Sequence, residues 1–130
     1  MTIAIHEEIT FNASPEQLYG VLTNSNQFSD MTGGAPTDIS KEEGGTFSCF
    51  GGMIEGRMIE LVSNERIVQA WRAGNWEAGV YSLVKFEFKK EGDETLLVFD
   101  HVGFPDGQAE HLKNGWTENY FEPLKKYISE

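Results

Sequence analysis

The strongest constraint on this chain is a change of period. Between residues 46 and 102 apolar side chains recur at every second position in short runs, and after Pro105-Asp106-Gly107 they recur at every third or fourth. In residues 80–88, Val80, Val84, Phe86 and Phe88 share one face while Tyr81, Leu83, Lys85 and Glu87 share the other. Past Gly107 the stripe is Ala109, Leu112, Trp116, Tyr120, Leu124 and Tyr127. Period two builds a half-buried strand and period 3.6 an amphipathic helix. Each such element has one face to bury. A sheet wrapped on a single long helix satisfies both at once.

The remaining elements fit around this pair. Residues 2–11 alternate, with Ile3, Ile5, Ile9 and Phe11 on one face, which predicts a first strand. Ser14-Pro15-Glu16-Gln17 is a helix start: Ser14 caps, Pro15 suits the first helical position and Gln17 completes a capping box. A second short helix is predicted over 25–31, ended by Gly33-Gly34. Strands follow at 46–50, 53–62, 66–72, 80–88 and 95–102, with Gly51-Gly52 as a hairpin turn and a Trp-bearing loop at 73–79. The last helix runs to about Ser129, and Pro123 removes its bond to the Asn119 carbonyl, so a kink is expected there. The fold class is therefore α+β. A curved antiparallel sheet of about six to seven strands surrounds a long C-terminal helix, with two short helices after strand one, in a single domain over residues 1–130.

Charge and cysteine content exclude several functions. Lys and Arg number 10 against 21 Asp and Glu, a formal net charge of −11. That surface repels phosphate, so neither nucleic acid nor an anionic membrane is an expected partner. One cysteine, Cys49, allows no internal disulfide, and three scattered histidines give no metal-ligand spacing. No cofactor is expected. The glycine doublets are turns, since no strand leads through them into a helix. The N-terminus lacks a signal-peptide pattern and no apolar run approaches about 20 residues, so the expected location is the cytoplasm.

Several short motifs run in one order along nearly the whole chain. They are Ser14-Pro15-Glu16-Gln17-Leu18-Tyr19, Gly44-Gly45-Thr46-Phe47, Ile54-Glu55-Gly56, and Ile67-Val68-Gln69-Ala70-Trp71-Arg72. Asn75-Trp76-Glu77-Ala78-Gly79, Gly103-Phe104-Pro105, Gly115-Trp116 and Asn119-Tyr120-Phe121 complete the set. With these the chain resembles the C-terminal-domain family of the activator of the ninety-kilodalton heat-shock protein ATPase, within the START-like or SRPBCC superfamily. The resemblance implies a helix-grip fold, in which a seven-stranded sheet holds the last helix. It also implies two kinds of work. Superfamily relatives bind lipids, sterols or polyketides in the sheet–helix cavity, some as cyclases or hydrolases, whereas the chaperone activators use this domain to touch a protein partner. Those activators carry a further domain ahead of this one, and the expectation for this chain is a standalone domain.

Candidate site residues follow from the motifs and strand parity. Trp71, Trp116 and Tyr120, with Phe86 and Phe99, either line a cavity for a flat apolar ligand or fill it as core. Trp76, in a loop, is a candidate partner contact. His101 shares parity with Leu97 and Phe99 and can act as an acid, a base or a ligand-orienting group, or be a histidine satisfied within the core. Glu60 shares parity with Ile54, Gly56 and Met58. Facing inward it would need Arg72 or His101 as partner; facing outward it is a surface carboxylate, with Met53, Ile59 and Leu61 inside. Gln69 would offer a neutral hydrogen bond to a ligand or to Glu60. Arg57 and Glu55 read as a surface ion pair, Cys49 as a small core residue, and His6 and His111 as solvent-facing. Three functions remain: a binder of a small hydrophobic ligand, a protein-partner module in a chaperone or stress-response setting, and a cyclase or hydrolase using His101 with Glu60.

Overall fold

The computed structural model describes residues 4–128, so Thr2 and Ile3 of the first predicted strand and the predicted helix end at Ser129 lie outside the described residues. Strand β1 (Ala4–Phe11) leads into helices α1 (Pro15–Thr23) and α2 (Ser25–Met31). Six strands follow: β2 (Asp38–Ile39), β3 (Thr46–Cys49), β4 (Ile54–Val62), β5 (Arg66–Ala73), β6 (Ser82–Glu91) and β7 (Glu94–Val102). They form one seven-stranded antiparallel sheet in the order β1-β7-β6-β5-β4-β3-β2. Closing the chain are helices α3 (Ala109–Trp116) and α4 (Glu122–Ile128), joined without a break by a π turn (Thr117–Phe121).

The local signals act as the sequence implies. The Ser14 side chain accepts from the Gln17 amide while Gln17 reaches back to the Ser14 amide, and Pro15 opens the helix. Asn24 ends α1 and caps α2 by accepting from the Gln27 amide. The two-residue β2 escapes an alternation argument because it is too short to show a period. It is held at its outer end by Ser25, whose hydroxyl accepts from the Ile39 amide at 2.8 Å.

Two irregularities decide which side chains point inward. The first is a bulge in β4 between Met58 and Glu60. Up to Met58 the inner face carries Ile54, Gly56 and Met58; past the extra residue it carries Leu61, while Ile59 and Glu60 turn outward. Neither single-parity reading of this strand holds, because a bulge switches the face halfway along. The second is the π turn, which immediately precedes Pro123, where the kink is expected. The Glu122 amide reaches back five residues to the Thr117 carbonyl, and Pro123 follows with no amide to give. The widened turn brings Phe121 onto the buried face beside Tyr120, although helical spacing assigns it to the outside.

The core lies between the concave face of the sheet and this composite helix. Phe86, Phe99, Trp116 and Phe121 pack as one aromatic block, with Phe99 4.5 Å from Trp116 and 5.2 Å from Phe86 and Phe121. Phe11, Leu18, Ile67, Leu97 and Leu124 complete it. Gly56 is required by this packing. A Cβ there would strike the Ala70 carbonyl oxygen and lie 2.7 Å from the Phe47 ring.

Candidate functional site

Where the aromatic block ends, toward the C-terminal end of β5, the sheet and helix part and leave a half-open cleft of about 670 Å³. Its walls are the turn Phe50–Gly52, Ile54, Trp71 and Ala73 on the sheet side, and Leu112, Trp116 and Tyr120 on the helix side. Asn75, Gln108, His111 and Asn119 stand at its polar margin. No Asp, Glu, Lys or Arg lines it among the described residues, a notable exclusion in a chain with 21 acids. The turn that forms one wall is unusual: Phe50, Gly51 and Gly52 all have positive φ, at 54°, 66° and 93°. Glycine tolerates this freely, but phenylalanine does not. The Phe50 ring is held edge-on by Phe28 at 5.8 Å and Tyr120 at 5.7 Å, contacts that offset the backbone strain. Beyond Phe50 lies a more open hollow of about 550 Å³ with charged walls that include Asp30, Glu118 and Glu122.

The expected site residues divide into three groups. Trp71, Trp116 and Tyr120 converge on the cleft, with Trp116 5.2 Å from Trp71 and 4.3 Å from Tyr120. Phe86, Phe99 and Gln69 lie deeper. The two phenylalanines belong to the aromatic block, and the Gln69 amide nitrogen donates to the Met58 sulfur at 3.6 Å. Glu60 stands apart from both. The bulge puts it on the outer face, where it accepts from Arg66 at 2.6 Å and meets neither Arg72 nor His101. Arg72 instead takes Glu55, its neighbour directly across the β4–β5 pair, at 3.0 Å, so the expected Arg57–Glu55 pair does not form. Arg57 donates to the Gly44 carbonyl.

His101 is fully buried, and its hydrogen bonds fix its protonation. The Trp116 indole can only donate, and it donates to Nδ1 at 2.9 Å. The proton must then sit on Nε2, which donates to the Ser82 hydroxyl at 2.7 Å. That hydroxyl in turn donates to the Trp71 carbonyl at 2.8 Å. Burial lowers the histidine pKa to about 4, so the ring is neutral at ordinary pH. With both nitrogens engaged, it ties helix α3 to three strands and has no free lone pair for acid–base work.

The two touching tryptophans differ in polar satisfaction. Trp116 uses its N–H on His101, whereas Trp71, 3% exposed, has an Nε1–H with no acceptor. Tyr120 stands near enough for that N–H to oppose the rise of its pKa, but not in hydrogen-bond geometry. Burial and the neighbouring Cys49 dominate, and the phenol stays protonated, its pKa well above 10. An unsatisfied buried donor costs on the order of 1–3 kcal/mol, and among the described residues the Trp71 indole is the buried side-chain group in that state, one that a ligand acceptor would relieve. Sequence reasoning had no signal for it, because it depends on which indole meets His101. Cys49 is buried and its thiol is pushed up to about 12, which makes it inert.

Trp76 lies at the rim and packs edge-on against Trp71 at 5.6 Å. Its loop is pinned by Arg72, which donates to the carbonyls of Trp76 at 2.6 Å, Glu77 at 3.1 Å and Val80 at 3.3 Å. His6 and His111 face solvent; His6 sits between Asp100 at 2.6 Å and Glu8 at 2.9 Å, which raise its pKa. No described helix is long and apolar enough to cross a membrane, and no group of three or more metal-ligating side chains occurs among the described residues.

Comparison with known proteins places this geometry in a family. The family described as activator of Hsp90 ATPase homolog 1-like protein matches residues 12–129. The mouse activator of 90 kDa heat shock protein ATPase homolog 2 is 33% identical over 124 residues, which is 95% of this chain and 37% of the relative. Human homolog 1 is 32% identical over 117 residues, 90% of this chain and 34% of the relative. The chain thus spans about a third of the length of these curated relatives. A Plasmodium falciparum crystal structure described as an HSP90 activator, 26% identical, superposes with a TM-score of 0.93 over 98% of this chain and 96% of the other. CalU16 from Micromonospora echinospora, at 21% identity and a TM-score of 0.82, shares the fold. By sequence and by architecture, this chain belongs to the activator of Hsp90 ATPase homolog 1-like family.

Proposed function

We propose that this domain binds a ninety-kilodalton heat-shock protein ATPase and modulates its activity. The observation that carries the reading is the end-to-end likeness to the solved chain described as a Plasmodium falciparum HSP90 activator, which has nearly the same extent. Curated relatives named as activators of the same ATPase support it. The contact surface we assign is the Arg72-pinned loop bearing the partly buried Trp76, together with the half-exposed Tyr81, whose ring lies under the same Arg72 guanidinium. Rigid, exposed aromatic residues make effective interface anchors. The acidic chain favours a basic patch on the partner. The test is direct titration of the purified domain into the host's heat-shock ATPase, with ATP turnover followed in parallel. Binding in the micromolar range or tighter, a changed turnover rate, and weakening of at least about tenfold in Trp76→Ala are expected. No binding at micromolar concentration would refute the proposal.

A second reading rests on a separate observation, the unsatisfied Trp71 N–H at the apolar cleft. On that reading the cleft holds a small, mostly apolar ligand. Native mass spectrometry of the purified protein is expected to show a retained small molecule, or a shift on adding one. A cyclase or hydrolase reading loses its chemistry, because Glu60 and His101 are held in separate places with separate partners.

A further inference from the structure

We infer that the cleft beside Phe50 selects uncharged, flat apolar molecules carrying a carbonyl oxygen, and that this oxygen accepts from the Trp71 indole N–H. The inference rests on the ligand-cleft reading and deepens it. The indole nitrogen can donate but not accept, so only a ligand acceptor completes it. Trp116, the touching ring, has already given its N–H to His101, so of the two indoles in contact at the cleft only that of Trp71 is left without an acceptor. The absence of Lys and Arg from the walls leaves a carboxylate or phosphate without a counter-ion, and the net charge of −11 repels it further. The absence of Asp and Glu likewise leaves an ammonium unpaired. Flatness follows from the aromatic walls, Phe50, Trp71, Trp116 and Tyr120. Nε1 is itself sealed from solvent, and Tyr120 is the neighbour that approaches it without bonding. A small displacement of the Tyr120 ring is therefore part of ligand entry.

A matched pair of probes separates the polar contact from the apolar one: 9-fluorenone and fluorene share a flat tricyclic body and differ by the carbonyl. Both are titrated into the ¹⁵N-labelled 130-residue chain, with the indole N–H signals of its three tryptophans assigned from Trp→Phe variants. The expected result is fluorenone binding about tenfold tighter than fluorene, the worth of one buried hydrogen bond. The Trp71 indole proton moves downfield with fluorenone alone. Trp71→Phe abolishes the difference between the two probes, whatever it does to their common affinity, while Ala73→Leu, which fills the cleft wall, weakens both probes. Should Trp71→Phe fail to fold, the wild-type Trp71 signal still decides. Equal affinities with an unmoved Trp71 proton would overturn the carbonyl inference and leave the cleft reading standing. Binding of neither probe, or binding unaffected by Ala73→Leu, would overturn both.

Discussion

Acidification should destabilise this domain through His101. The ring is fully buried with both nitrogens engaged, and it can take a proton only by turning Nδ1 into a second donor facing the Trp116 N–H. Burial holds its pKa at about 4, below the ordinary 6.5. The sign follows from proton counting: in the window between these values the unfolded chain binds a proton that the folded chain refuses. The His101 contribution is therefore complete above pH 6.5 and is lost as pH falls toward 4. At about 1.36 kcal/mol per pH unit the full loss is roughly 3 kcal/mol, most of it spent by pH 4.5. That is a large share of the ~5–15 kcal/mol that holds a domain together. The assay is urea denaturation followed by tryptophan fluorescence at half-unit steps from pH 7.5 to 4.5. His6 contributes with the opposite sign, since its raised pKa gives stability that is complete below pH 6.5 and lost at higher pH. The series is therefore run in a His6→Gln background. Between pH 6 and 5 the expected slope approaches one proton taken up on unfolding. In His101→Phe that slope flattens while stability at pH 7 drops, because the Trp116 N–H loses its acceptor. A stability flat over this window, or a His101 NMR titration near 6.5, would refute the reasoning.

Other perturbations have smaller or cruder effects. Ser14→Ala removes the capping box of α1 and should cost about 1 kcal/mol in urea denaturation, with the fold unchanged by circular dichroism. Gly56→Ala drives a methyl group into the Ala70 carbonyl and the Phe47 ring, so loss of soluble expression or a destabilisation of about 3 kcal/mol or more is expected; a wild-type melting temperature would contradict the close approach. Glu60→Gln breaks only a half-exposed pair with Arg66 and should cost less than about 1 kcal/mol in the same assay, leaving probe binding in the cleft untouched.

Most of the fold was legible because each long element has one buried face. The alternation of 80–88 and the stripe from Leu112 to Tyr127 each report that face directly, and Ser14-Pro15-Glu16-Gln17 is a local signal that needs no tertiary context. Legibility fails where the period changes inside an element. Along β4, Met58, Ile59 and Leu61 are all apolar, so nothing in the pattern marks the residue at which the bulge exchanges faces, and both readings of Glu60 assumed one parity throughout. Phe121 was missed for the same reason in the helix, where one π turn moves it inward. β2 is too short to have a period at all. The partners of His101 are tertiary facts: Ser82 and Trp116 stand 19 and 15 residues away, and no spacing rule links them.

The sequence posed one question about the aromatics, whether they line a cavity or fill it, and the structure divides them by depth. Phe86, Phe99 and Phe121 are surrounded on all sides, so a change there is a packing change. Trp71, Trp116 and Tyr120 press one edge on that block and turn another toward the cleft, and for them burial alone cannot separate support from recognition. Polar satisfaction can. A structural indole is expected to have its N–H partnered within the protein, as Trp116 has through His101, Ser82 and the Trp71 carbonyl. Trp71 contributes that carbonyl to the same relay, yet its own N–H is left without an acceptor. Of two rings equally buried and in contact, one is complete without a ligand and the other is not, and it is the incomplete one that sits against Trp76 and the proposed partner loop. An occupant of the cleft would therefore act on the ring that supports the loop, which makes the two proposed binding events candidates for coupling. Measuring heat-shock ATPase affinity with and without saturating fluorenone would give the coupling directly: equal affinities would show the two sites to be independent.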